Sequence, residues 1–75
     1  MIDDEQHRAL ELLAGWPEGL TEARFLVRHK FAFDTLAALV RDGLATATIE
    51  EVRGGKHQSR VTRYKITDAG FLAMD

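Results

Sequence analysis

Asp42-Gly43 divides this chain into two parts that obey different periods, and that break constrains the fold more than any other feature. Before it, Leu36, Leu39 and Val40 recur at helical spacing and Leu44 continues the series. Glycine is the residue best able to stop such a helix with a positive φ. After the break, Ala45 to Val52 and Arg60 to Ile66 are rich in β-branched residues and flank Gly54-Gly55. That pattern predicts an antiparallel hairpin joined by the basic, glycine-containing loop RGGKHQS. Thr67-Asp68 then supplies an N-cap and an acidic first turn for a last helix, Asp68 to Met74, barely two turns long and unable to hold alone.

The first half reads as helices. Asp3 can cap the first one while Gln6 reaches back to complete a capping box. Ala9, Leu10, Leu13 and Ala14 make its apolar face, and Gly15 ends it before Trp16-Pro17. Trp16 is expected to pack this helix against the body of the domain. Gly19-Leu20 suits a short extended piece, and Thr21 with Glu22 suits the start of a second helix, Glu22 to His29, burying Ala23, Leu26 and Val27 with Phe25 on the flank. Lys30-Phe31-Ala32 is the turn, and a third helix runs from Phe33 to Asp42 with Asp34 available as its cap. Phe31 and Phe33 are expected to fill the space between these two helices. In the hairpin, Tyr64 and Ile66 with Ala47 and Ile49 should face the core, which turns Arg63 and Lys65 outward. Phe71, Leu72 and Met74 need cover, from the first helix or from a second copy in a weak homodimer.

A chain of 75 residues is enough for one domain, residues 1–75, and no more. At this size folding buries only roughly 60–65% of the unfolded surface, so the core is marginal. With no Cys, neither a disulfide nor a thiolate metal site can staple it. A composition 45% hydrophobic and 29% charged argues against disorder. The acidic N-terminus MIDDEQHR is unlike a signal peptide and no apolar run reaches membrane-spanning length, which points to the cytoplasm. The net charge of −2 hides a strong asymmetry. Met1 to Ala23 holds six acids against Arg8 alone, whereas Arg24 to Lys65 holds nine bases against four acids. Between Val52 and Thr67 there is no acid, while Arg53, Lys56, Arg60, Arg63 and Lys65 fall there. Such a basic stretch is the sequence footprint of a polyanion-binding surface, or of a solvated hairpin edge that resists aggregation.

Enzyme chemistry finds no support. Ser59 and His57 share one loop that is too exposed for a triad, and Gly54-Gly55-Lys56 lacks the second spaced Gly and the Lys-Ser/Thr of a phosphate loop. His7, His29 and His57 are far apart with no i,i+4 pair, each reading as a surface residue, so no metal and no cofactor is expected.

The order of elements resembles the winged helix-turn-helix domains of bacterial transcription regulators such as the MarR and PadR families. The resemblance covers nearly the whole chain and rests on the pattern of elements, not on one motif. It implies an α+β fold, with a three-helix unit, an antiparallel hairpin wing and a short C-terminal helix. It also implies duplex DNA as partner, with the third helix in the major groove and the wing on phosphates. The groove-facing residues would be Lys30, Asp34, Thr35, Ala38 and Arg41. The wing contacts would be Arg53, Lys56, His57 and Arg60, with Arg63 supporting from the strand. The third helix offers no Asn, Gln or Ser to base edges, so a winged helix used for protein contacts through Phe31, Phe33 or the C-terminal apolar turn stands as the alternative.

Overall fold

A computed structural model of the chain describes residues 2–55 and 57–74, the side chains of Val52, His57 and Gln58 excepted. These residues form a small α+β fold of four helices and a three-stranded antiparallel sheet. Helix α1 spans Asp4–Ala14 and opens with the expected box: the Gln6 backbone N–H donates to Asp3 Oδ1 at 2.7 Å, and the Asp3 N–H donates to Gln6 Oε1 at 2.9 Å. Ala9, Leu10 and Leu13 are buried and Gly15 caps the end. Strand β1, Leu20–Thr21, follows. It pairs with β3, His57–Ile66, which in turn pairs with β2, Ala45–Gly54, giving the order β1-β3-β2.

Between β1 and helix α2, Phe33–Arg41, lies a π-helix, Arg24–Arg28, where an ordinary helix was expected. The His29 N–H donates to the Arg24 carbonyl at 3.0 Å, an i→i+5 bond. Each such turn takes up one extra residue, so the inward face differs from a 3.6-residue period. Phe25, predicted on the flank, is fully buried, whereas Ala23 is exposed and Val27 is 75% exposed. Leu26 keeps a half-buried place against the core. Thr21 is a strand residue instead of a cap, and the N-cap of the π-helix is Ala23, which offers no side-chain hydrogen bond.

Leu36 and Leu39 of α2 are buried, with Val40 and Leu44 packed beside them, and Gly43 (φ 75°) closes the helix as predicted. Asp34 sits in the first turn and not at the cap, which is Ala32. The core comprises Ala9, Leu10, Leu13, Leu20, Phe25, Leu36, Leu39, Ala45 and Tyr64. Phe25 anchors it, edge-on to Phe31 at 5.7 Å and to Tyr64 at 5.9 Å. Phe31 thus fills part of the predicted space, but Phe33 is 53% exposed. Trp16 is also exposed, its ring beneath the Arg24 guanidinium at 5.8 Å instead of against the body.

The hairpin strands are longer than the β-branched runs suggested. The ladder continues to Gly54↔His57, so Arg53, Gln58 and Ser59 join the strands, Arg60 lies in a strand as expected, and two residues separate β2 from β3. Gly55 is the first of the two, with φ 61°. Ten-residue strands outrun the body: among their described side chains only Ala45, Tyr64 and Ile66 meet the core, and Ala47 and Ile49, predicted inside, are exposed. Helix α3, Asp68–Ala73, is capped by Thr67, whose Oγ1 accepts from the Gly70 N–H at 3.0 Å and donates to the Gly43 carbonyl at 2.7 Å. Met74 packs on the core while Phe71 and Leu72 remain exposed.

Candidate nucleic-acid interface

Helix α2 and the hairpin carry the residues singled out from the sequence. The buried series of α2 leaves a solvent stripe of Phe33, Asp34, Ala37 and Arg41, so Ala37, one position before the Ala38 named from the sequence, lies on the open side while Ala38 is half-buried. Lys30 precedes the helix with φ 58°, an uncommon left-handed conformation for a side chain of that length, and is exposed. Arg41 lies in the last turn, where a cation suits the helix dipole, and its Nε approaches Asp42 Oδ1 at 3.4 Å. Thr35 is elsewhere. It is buried, and its hydroxyl donates to Glu5 of α1. It follows Asp34 directly but points to the buried side of the helix, and its hydroxyl is consumed in joining the two helices.

On the hairpin, Arg53 and Glu51 lie on β2 opposite Gln58 and Arg60, so Arg53 and Arg60 share one face of the ladder two rungs apart. Both are exposed. The acid-free stretch of sequence meets acids across the ladder: Arg60 Nη2 is 4.0 Å from Glu51 Oε1, and Arg63 Nε donates to Glu50 Oε1. The two pairs differ in kind. Arg60 is 76% exposed at a long distance, a contact worth about 0–1 kcal/mol that any stronger anion can displace. Arg63 is half-buried and also donates to the Gly19 carbonyl at 3.3 Å, so it serves as a tie between β3 and the segment before β1. That role replaces the outward support expected of it. Lys56, and the side chain of His57, lie outside the described residues.

Comparison with protein-family models, curated proteins and solved structures finds no match to this chain. The reading therefore rests on its own residues. Arg24 and Arg28, exposed cations not named as candidates, are the first and last residues of the π-helix. The only sequence signal for them was their place in the basic middle of the chain.

The Tyr64 phenol is pushed up to about 12, chiefly because burial opposes its ionised form, and further because its OH donates to Glu22 Oε2 at 3.1 Å beside that carboxylate's charge. His7 is half-buried and not a free surface residue: Nδ1 lies 2.6 Å from Glu11, and Nε2 is 3.3 Å from the Met74 carbonyl. Among the described residues no group of three or more His, Asp or Glu could hold a metal ion, and no helix is long and apolar enough to cross a membrane.

Proposed function

We propose that this chain is a winged helix DNA-binding protein, without catalytic activity, that regulates transcription by contacting duplex DNA. The observation that carries the reading is the protruding hairpin, with exposed Arg53 and Arg60 on one face of its outer half. A flexible pair of guanidiniums on a projecting arm suits phosphate, whose attraction is long-ranged and indifferent to sequence. Lys56 and His57 belong to the proposed set by their sequence, and Lys30 and Arg41 mark the two ends of α2. The stripe between them, Phe33, Asp34 and Ala37, offers little to base edges, so sequence preference is modest. A weak homodimer through Phe71 and Leu72 belongs to the same proposal; Met74 drops out of it because it packs on the core.

The test is a salt titration of binding to a mixed-sequence duplex. Log K should fall with log salt at about −0.9 per phosphate neutralised, and Arg53→Ala or Lys56→Ala should flatten the slope by about one unit each. Lys30→Ala should instead change the ranking of duplexes. Exposed Phe33 favours a second reading, a winged helix used for protein contacts. Absence of duplex binding at ~50 mM salt decides for it.

A further inference from the structure

Beyond Thr21 the short strand β1 stops, yet β3 continues for six more residues toward the turn. On that side Arg60–Thr62 has no strand beside it among the described residues. The Tyr64 carbonyl faces β1, since a Cβ built on Gly19 would lie 2.7 Å from its oxygen. The alternation of an antiparallel ladder, unbroken in register from His57 to Ile66, directs the backbone groups of Thr62 and Arg60 to the same side. There the edge does not meet open solvent. The start of the π-helix rises next to it, and between them lies a groove of about 320 Å³ with Ala23, Leu26 and Val27 on one wall and Arg60, Val61 and Thr62 on the other. Val27, turned outward by the π-winding, leaves most of its isopropyl group exposed to this space.

An unpaired strand edge facing an apolar helix wall is the geometry in which extended peptides add as an extra strand: backbone hydrogen bonds hold them, and alternate side chains are read by the wall. The two ends of the groove differ in charge. Arg60 stands at the hairpin end with a long contact to Glu51, and Glu22 stands at the β1 end with one carboxylate oxygen accepting from Tyr64. A second copy is disfavoured, because its own β3 laid antiparallel along this edge would set Arg60 close to its counterpart, like charge against like, whereas a peptide that starts at the Thr21 and Glu22 end can meet Arg60 with a carboxylate. A short segment that begins at that end does fit. We infer that the groove between β3 and the π-helix binds the N-terminal end of an extended peptide as a fourth, antiparallel strand. The peptide carries an aliphatic side chain opposite Thr62, against Leu26 and Val27, and a carboxylate two residues later opposite Arg60. This site is independent of the DNA reading, sharing with it only Arg60.

The probe is an octapeptide beginning Val-x-Asp, labelled with fluorescein at its C-terminal end and titrated with the intact chain by anisotropy. Saturable binding is expected. N-methylation of the Asp amide, which points at β3, should weaken it at least about tenfold, whereas N-methylation of the intervening residue should change it less than about twofold. Arg60→Glu should transfer the preference from Val-x-Asp to Val-x-Lys, and Val27→Asp should weaken both peptides about tenfold or more. Both replaced side chains are about three-quarters exposed, so the fold survives, which circular dichroism checks. Absence of saturable binding, equal effects of the two N-methyl groups, or indifference to Val27→Asp overturns the inference. Val27 is no part of the DNA set, so failure here and failure of duplex binding are read separately.

Discussion

The Tyr64 hydroxyl makes this protein's stability depend on alkaline pH in a way that can be assigned to one atom. Its folded pKa is raised from the ordinary 10.0 to about 12, so its contribution is complete below about pH 10. As pH rises further, the unfolded phenol ionises while the folded one does not, and stability drains until pH passes about 12. Two units correspond to roughly 2–3 kcal/mol. Tyr64→Phe should cost about 1 kcal/mol at neutral pH through the lost bond to Glu22, but should flatten the decline above about pH 10 relative to the parent, as read from urea midpoints. Gly70 is a second decisive residue. A Cβ there would strike the Leu44 carbonyl and come within 2.7 Å of Ile66 Cγ1. Gly70→Ala should therefore destabilise by about 1–3 kcal/mol despite the better helix propensity of Ala, lowering the melting midpoint by several degrees.

At the scale of elements, the π-helix inverts what an ordinary helical wheel predicts for the segment after Thr21. Phe25→Ala should cost about 3–5 kcal/mol and leave so small a domain largely unfolded, while Val27→Ala should stay within about 0.5 kcal/mol of the parent. The opposite ranking in denaturant titrations would restore the 3.6-residue reading. Within the hairpin, the arginines divide the same way. Arg63→Ala should reduce stability, since it removes two hydrogen bonds between β3 and its neighbours, and leave the salt slope of any duplex binding nearly unchanged. Arg53→Ala should do the reverse.

The whole molecule is elongated, 45 × 23 × 21 Å, with a radius of gyration of 12.7 Å where a compact chain of this length would have about 11 Å. The hairpin accounts for the excess. A strand of ten residues reaches about 33 Å, beyond what one small core can cover. The apolar surface this shape leaves open includes Leu72, 72% exposed, with Phe71 beside it on α3. If the proposed weak dimer uses that turn, sedimentation at about 50 µM should show concentration-dependent mass that Leu72→Asp abolishes without lowering the melting midpoint. A parent that remains monomeric there removes the dimer from the proposal.

What could be read from the sequence was whatever depends on neighbours along the chain. The Asp3–Gln6 box, the Gly15 and Gly43 stops, the Thr67 cap, the hairpin about Gly54-Gly55 and the buried series of Leu10, Leu13, Leu36 and Leu39 all follow from spacing and local hydrogen bonding, and all are present. The candidate site was half legible: Lys30, Arg41, Arg53 and Arg60 are exposed, as charged side chains are by default whatever their sequence neighbours. Tertiary structure decided the rest. Thr35 is spoken for by Glu5 thirty residues earlier, and Arg63 by Glu50 and Gly19, partners that no local pattern names. Ile49 faces water because the hairpin extends past the body, although its alternation is that of a core strand. Phe25 is central because one wide turn of helix rotates it between Phe31 and Tyr64. Periodicity reports which residues share a face; how far each face is covered depends on the lengths and winding of elements packed from elsewhere in the chain.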